Sequence, residues 1–162
     1  MKKLILIRHA KSSWEFDVID HERPLNNRGV NDAHLISREL KTLNINIDIA
    51  ICSDANRAKS TADIILPKLN IESTKITYNH KLYDFSGRDL VDVIKNTDRA
   101  VKTLLIFGHN HAITAFVNTY GSTYIENVPT CGVVAIEFET DQWSNIANGS
   151  TVFTLFPKDL KA

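Results

Sequence analysis

The sequence predicts an α/β fold, a three-layer sandwich with a mainly parallel central sheet and helices on both of its faces. Short apolar runs, typical of buried strands, alternate with longer segments whose apolar residues recur every three or four positions, as in amphipathic helices. The chain has 162 residues, a length typical of one domain with its own core. We therefore expect residues 1–162 to form a single domain.

The first half of the chain contains two predicted strand–helix units. Residues 4–7 are a fully apolar run and predict a buried strand, which a polar loop over residues 11–27 follows. A helix is expected over about residues 28–43, with Asn27 as its N-terminal cap. The second strand is expected at residues 47–52 and the second helix at about 56–69, where Pro67 ends or bends it.

The second half continues the alternation and then ends in strands. A weaker strand is predicted at residues 76–82, a helix from Ser86-Gly87 to about residue 96, a strand at 103–107 and a helix at about 112–120. The closing strands, at residues 132–139 and 152–156, lie close in sequence and can pair as an antiparallel hairpin. A partly antiparallel edge on a parallel sheet is the result we expect.

The composition excludes several classes of protein. The 19 basic residues balance the 19 acidic ones, which argues against nucleic acid or an anionic membrane as the main partner. No apolar stretch approaches the length of a membrane span, and the N-terminal apolar run is too short for a secretory signal. Cys52 and Cys131 show no metal-binding pattern, and we expect Cys52 to be buried and Cys131 to be partly exposed. Two unpaired thiols fit a reducing compartment, so we expect the protein to be cytoplasmic.

Basic and histidine side chains follow three of the predicted strands. The first strand ends in Arg8-His9, the second in Ser53 with Arg57 four residues later, and the fourth in Gly108-His109. In open α/β sheets, ligands bind at the carboxyl ends of the strands, where helix N-termini add amide donors. If these strands are parallel neighbours, two guanidinium groups and two imidazoles meet there and form a phosphate pocket with a nucleophile.

The same residues carry a resemblance to a known family. The segments from Arg8 to Trp14, from Arg23 to Gly29, from Cys52 to Ala62 and from Gly108 to Asn110 resemble, in order and spacing, motifs of the histidine phosphatase superfamily, which includes phosphoglycerate mutase. They are most similar to its small branch typified by SixA, a phosphohistidine phosphatase. Segments near the C-terminus, at residues 129–132 and 157–160, extend the resemblance over essentially the whole chain.

The resemblance implies a role for each of the four central residues. His9 would be the nucleophile and form a phosphohistidine intermediate that water hydrolyses. Arg8 and Arg57 would hold the phosphoryl oxygens, and His109 would offer them a hydrogen bond or a positive charge. The implied chemistry needs no cofactor and no metal.

Three further residues have two interpretations each. Arg23 either contacts the substrate or forms a salt bridge with Asp20 or Glu22. Asn110 either binds the substrate or caps the following helix. Asp84 is the one candidate for a general acid, although a solvated carboxylate in a turn is the simpler expectation.

The lack of a clear general acid bears on the substrate. Alkyl phosphates need a proton on the leaving oxygen, whereas the imidazole of phosphohistidine leaves more easily. The expected function is hydrolysis of a phosphohistidine-bearing signalling protein, or else of a small phosphorylated substrate, with inorganic phosphate as product. The alternatives are a broad small-molecule phosphomonoesterase and a phosphate- or phosphoprotein-binding module without turnover.

Asp54 departs from the branch's usual proline and must turn away from the pocket or pair with Arg57 or Lys59.

Overall fold

A computed structural model describes residues 1–161, and within them one six-stranded sheet forms the centre of the molecule. The strands are β1 (Lys2–Arg8), β2 (Ile49–Cys52), β3 (Ile76–Tyr78), β4 (Thr103–Gly108), β5 (Val133–Phe138) and β6 (Ser150–Leu155). Their order is β3-β2-β4-β1-β5-β6. The first four are mutually parallel, and β5 and β6 are antiparallel to their neighbours, as the closing hairpin predicted.

Helices cover both faces of the sheet, which confirms the predicted three-layer arrangement. They are α1 (Asn27–Thr42), α2 (Asn56–Ile65), α3 (Arg88–Lys95), α4 (Ala112–Tyr120) and α5 (Pro157–Leu160). Alternate residues of β1 serve the two layers: Leu4 and Leu6 pack with α3 and α4, whereas Ile5 and Ile7 pack with α1 and α2. Because both faces of β1 are buried, its sequence is continuously apolar rather than alternating.

Several element boundaries differ from the sequence prediction for local reasons. Asn26, not Asn27, caps α1, because its side-chain oxygen accepts a hydrogen bond from the Gly29 amide. The third strand ends at Tyr78 instead of residue 82, since Asn79 caps a 3-10 turn at His80–Leu82. The second helix is α-helical only to Ile65 and continues as a 3-10 turn, Leu66–Leu69, that contains the proline.

The loop between β1 and α1 passes directly over the start of α1. The Asn26 amide donates to the Lys11 carbonyl at 3.0 Å, which fastens the two ends of the loop together. A Cβ atom on Gly29 would lie 2.1 Å from that same carbonyl oxygen, so only glycine permits this approach. The loop is therefore held over the carboxyl end of β1, where the candidate site lies.

Candidate active site

The carboxyl end of β1 lies at the centre of the sheet, between β4 and β5, and presents Arg8 and His9. The His9 amide donates to the Gly108 carbonyl of β4 at 3.1 Å, and the His9 carbonyl accepts from the Cys131 amide at 3.0 Å. The backbone of His9 is thus fixed from both sides. We expected Cys131 to be partly exposed, but it is fully buried, because it lies beside the end of β1 and packs in the hydrophobic core.

The His9 imidazole is buried, neutral and oriented with Nε2 toward Arg57. Its Nδ1 lies 2.7 Å from the Ala10 carbonyl, an acceptor only, so Nδ1 carries the proton and Nε2 keeps a lone pair. Arg57 Nε donates to that Nε2 at 3.3 Å. Burial and the nearby charges of Arg57, Arg8 and Arg23 lower the pKa of His9 to about 3, against the opposing effect of the Ala10 hydrogen bond.

Arg57 lies in the first turn of α2 and is almost completely buried. Besides its contact with His9, its Nη1 donates to the Asp20 carbonyl at 2.7 Å and its Nη2 to the Asp20 carboxylate at 3.0 Å. Thr61, one turn further along α2, joins this helix to β1: its hydroxyl donates to the Arg57 carbonyl and accepts from the Ala10 amide. The guanidinium is thereby held in a fixed orientation next to the imidazole.

Arg8 enters the pocket from the opposite side. Its Nη1 donates to the Val128 carbonyl at 2.9 Å, and its buried Nε has no partner. Burial and the nearby Arg57 charge lower the pKa of Arg8 from its ordinary value. Two guanidinium groups close enough to repel each other favour the binding of an anion between them.

His109, at the end of β4, completes the group of four, its ring centroid 5.1 Å from that of His9. Ser53 Oγ accepts from the Ala55 amide and lies 2.8 Å from His109 Nε2, so its own proton is available for Nε2. In the tautomer in which Ser53 donates to Nε2, the imidazole proton resides on Nδ1, which is buried without a partner. Burial and the cationic surroundings lower the pKa of His109 to about 2, so it offers a hydrogen bond rather than a positive charge.

Asp20 and Tyr83 are site residues that the sequence analysis did not select. The Asp20 carboxylate accepts from Arg57 Nη2, from Arg23 Nε at 3.1 Å and from the Tyr83 hydroxyl. Burial would raise the pKa of Asp20, but the hydrogen bonds from Tyr83 and Arg57 lower it to about 2. Asp20 was considered only as a partner for Arg23, and no sequence pattern signals Tyr83.

Arg23 forms the salt bridge with Asp20 that was one of its two predicted interpretations. Its guanidinium stacks 3.5 Å from the centroid of the Trp14 ring. Its Nη1 remains buried without a partner. The salt bridge therefore leaves one donor of Arg23 available to a ligand.

Asp84 does not have the properties of a general acid. Its two carboxylate oxygens accept four hydrogen bonds, from the Ser86 amide and hydroxyl and from the Gly87 and Leu90 amides at the start of α3. Burial would raise the pKa of Asp84, but the Leu90, Gly87 and Ser86 donors lower it below its usual range. Nor is it the solvated carboxylate of the simpler interpretation, because it is buried and holds the N-terminus of a helix.

Asn110 has the predicted capping role. Its side-chain oxygen accepts from both the amide and the hydroxyl of Thr114 in α4, and its amide nitrogen donates to Asn127 at 2.8 Å. Both ends of the side chain are therefore engaged within the protein, which argues against the predicted contact with substrate.

Asp54 takes the first of its two expected arrangements and pairs with neither Arg57 nor Lys59. It turns away from the pocket and lies 2.9 Å from the imidazole nitrogens of both His21 and His80. Burial would raise the pKa of Asp54, but the two histidines lower it. The pocket is thus relieved of a carboxylate that would oppose an anion.

The unpartnered polar atoms of the protein are concentrated at this site. Within residues 1–161, five buried side-chain nitrogen or oxygen atoms have no hydrogen-bond partner, and three of them are Arg8 Nε, Arg23 Nη1 and His109 Nδ1. Because buried polar atoms are almost always satisfied, three unpartnered nitrogens grouped near the His9 imidazole indicate a site that can accept an oxyanion.

Comparison with known proteins identifies the family of this α/β chain. Residues 4–89, more than half of the chain, match the histidine phosphatase superfamily (branch 1). The chain therefore belongs to that superfamily.

Individual relatives of this chain include two proteins. An uncharacterized protein of Mycobacterium tuberculosis is 27% identical over 160 residues, which cover 93% of this chain and 98% of the relative. A 2,3-bisphosphoglycerate-dependent phosphoglycerate mutase of Allorhizobium ampelinum is 31% identical over 100 residues, which cover 60% of this chain and 47% of the mutase.

The solved structures define the fold. The protein histidine phosphatase SixA complexed with tungstate superimposes with a TM-score of 0.84 at 18% identity, covering 98% of this chain and 99% of SixA. A putative phosphohistidine phosphatase SixA from Agrobacterium tumefaciens gives 0.77 at 19% identity, with 95% and 97% of the two chains covered. Separately, no helix within residues 1–161 has the length and apolar character needed to cross a membrane.

Proposed function

We propose that this protein is a phosphatase that uses His9 as a covalent nucleophile. The single observation that carries the proposal is the state of that imidazole: Nδ1 is bound to the Ala10 carbonyl, the pKa is low, and the Nε2 lone pair lies among Arg8, Arg57 and His109. A neutral imidazole is the nucleophilic form, and the surrounding cations favour the phosphoryl group that it would attack.

The proposed reaction has two steps. Nε2 of His9 attacks phosphorus, the leaving group departs with the electrons of its bond to phosphorus, and Arg57 Nε shifts its hydrogen bond from Nε2 to a phosphoryl oxygen. Arg8 and His109 Nδ1 donate to the remaining oxygens and stabilise the charge as the group transfers. Water then attacks the phosphohistidine, which releases inorganic phosphate and restores the neutral imidazole.

Trapping the intermediate tests this scheme. The protein is incubated with a ³²P-labelled phosphoramidate and quenched in alkali, in which phosphohistidine survives. We expect label on His9 in the unaltered protein, no label in His9→Asn, and unchanged labelling in the control His34→Asn, which alters a histidine on α1. If the unaltered protein binds phosphate but His9 never becomes labelled, the protein is a binding module instead.

We further propose that the physiological substrate is phosphohistidine in a protein. The described residues around His9 offer no protonated carboxyl: Asp84 is held ionised by four donors, Asn110 is an amide, and Asp20 has a pKa of about 2. A substrate whose leaving group needs little protonation suits such a site better than an alkyl phosphate does.

The loop over the site supports a protein as the substrate. Four apolar side chains on this loop are exposed, with Trp14 at 76% and Ile19 at 71% the most accessible. The others are Phe16 and Val18. Exposed apolar side chains grouped beside an anion pocket are typical of surfaces that bind another protein.

A substrate panel separates the enzyme hypotheses. A phosphorylated histidine-phosphotransfer protein is compared with phosphoimidazole, phosphoserine, sugar phosphates and an aryl phosphate. We expect the highest kcat/KM for the phosphohistidine protein. Faster cleavage of sugar or aryl phosphates would instead identify a small-molecule phosphomonoesterase.

A further inference from the structure

Three possible metal ligands from separate segments meet beside the phosphate pocket. His21 lies in the 3-10 turn Asp20–Glu22, Asp54 follows β2, and His80 lies in the 3-10 turn His80–Leu82. Asp54 Oδ1 is 2.9 Å from His21 Nε2, and Asp54 Oδ2 is 2.9 Å from His80 Nδ1. No sequence motif indicates this group, because its members are 26 or more residues apart along the chain.

We propose that His21, Asp54 and His80 form a binding site for a zinc ion. Two imidazole nitrogens and one carboxylate oxygen are ligands typical of Zn²⁺, whereas Mg²⁺ and Ca²⁺ prefer oxygen alone. Three protein ligands leave a fourth tetrahedral position for water. The proposal concerns metal binding alone and does not depend on the phosphatase activity proposed above.

The geometry requires the ligand atoms to close around the ion. Ligand atoms at about 2.1 Å from one tetrahedral zinc ion are about 3.4 Å apart. The three ligand atoms all lie within 4.8 Å of one another. His80 can supply the adjustment because its side chain is 72% exposed and can change rotamer without disturbing the core.

The surroundings favour binding through these atoms. Glu22 Oε1 lies 3.6 Å from His21 Nδ1, too far for a hydrogen bond but close enough for its charge to favour a proton on Nδ1, which leaves Nε2 for the metal. The two cysteines are both fully buried and do not compete for the ion from the surface. Asp54 supplies the negative charge that a dication needs.

An ion in this position would link the loop over the pocket to the sheet. His21 belongs to the turn whose first residue, Asp20, holds Arg57 and Arg23, while Asp54 follows β2 directly. The Tyr83 ring lies between this cluster and the pocket, with its centroid 4.9 Å from that of His21 and 5.3 Å from that of His109. Zinc binding should therefore stabilise the folded protein and restrain the turn that positions Arg57.

Metal titration of the full chain, without an affinity tag and freed of metal by chelation, tests the proposal. Zn²⁺ binding is measured by calorimetry and by competition with a chromogenic chelator, and Co²⁺ serves as a spectroscopic probe of coordination. We expect one zinc per chain, a raised Tm, and visible Co²⁺ absorption of tetrahedral intensity. His80→Gln and Asp54→Asn should each weaken binding by more than the roughly 10- to 100-fold typical of losing a supporting contact.

Two controls distinguish this site from other histidines. His34→Gln should bind zinc as the unaltered protein does, and so should His9→Asn, which removes a histidine of the phosphate pocket. Because His80 is exposed, His80→Gln tests the site without endangering the fold. The proposal is overturned if the unaltered protein binds no zinc, if His80→Gln and Asp54→Asn bind it normally, or if His9→Asn is the variant that loses it.

Discussion

At the scale of single residues, the two histidines of the pocket are oriented by contacts with the Ala10 carbonyl and the Ser53 hydroxyl. The Ala10 carbonyl determines which nitrogen of His9 is free, and the Ser53 hydroxyl does the same for His109. Both imidazoles are buried among cations, so both are neutral at physiological pH. Orientation and protonation state, rather than the mere presence of histidine, define this site.

The contribution of Ser53 can be measured directly. Ser53→Ala removes the partner of His109 Nε2 and allows the proton to move from Nδ1 to Nε2, away from the proposed phosphoryl oxygen. We expect kcat to fall about 10-fold, equivalent to one hydrogen bond of about 1.4 kcal/mol, with little change in KM. The control Ser60→Ala, on α2, should leave kcat unchanged; equal kcat in both variants would contradict the role given to Ser53.

At the scale of elements, Thr61 couples α2 to the end of β1. In Thr61→Val the buried Ala10 amide loses its acceptor, which should destabilise the protein by about 1–3 kcal/mol and lower kcat, because Ala10 also orients His9. Thr61→Ser keeps the hydroxyl and should retain most of kcat. Urea unfolding measures the free energy of unfolding, and steady-state kinetics measure kcat. A similar kcat for the two variants would show that this hydrogen bond does not affect activity.

The loop between β1 and α1 should act in recognition rather than in chemistry. Ile19 is highly exposed, so Ile19→Ser should not affect the fold, but it should raise KM for a phosphohistidine protein several-fold. KM for phosphoimidazole should be unchanged, since that molecule is too small to reach the loop surface. Leu43→Ser, at the far end of α1, is the matched control; an equal effect on both substrates would assign Ile19 to the pocket itself.

At the scale of the whole molecule, what the sequence predicted and what it missed have a common physical basis. Arg8, Arg57 and His109 follow buried strands directly or after one turn, and the sheet order brings such positions together, so the pocket was predictable from strand patterns. The position of Asp20 depends on the path of a long irregular loop, for which the sequence carries no periodic signal. Neither the general-acid nor the solvated-turn interpretation of Asp84 is right. Its place two residues before Ser86 indicates a helix cap only once the start of α3 is known.

The two buried histidines should also determine how the stability of the whole protein responds to acid. Their folded pKa values are about 3 and about 2, whereas a histidine in the unfolded chain titrates near about 6.5. Below about pH 6.5 the unfolded state binds more protons than the native state, so the free energy of unfolding decreases as the pH falls. With both histidines contributing, the decrease approaches about 2.7 kcal/mol per pH unit.

This response can be separated from that of the carboxylates. Asp20, Asp54 and Asp84 have lowered pKa values, so their stabilising effect is lost only below about pH 5, and the range from about pH 5 to 6.5 reports the histidines. Urea unfolding across that range should give a clearly shallower slope for His9→Asn than for the unaltered protein, by about 1.4 kcal/mol per pH unit. Inorganic phosphate should also restore stability in a concentration-dependent way, because an anion in the pocket binds only the folded state. Identical slopes with and without His9 would mean that folding does not lower the pKa of its imidazole, which would contradict the buried, neutral state on which the proposal rests.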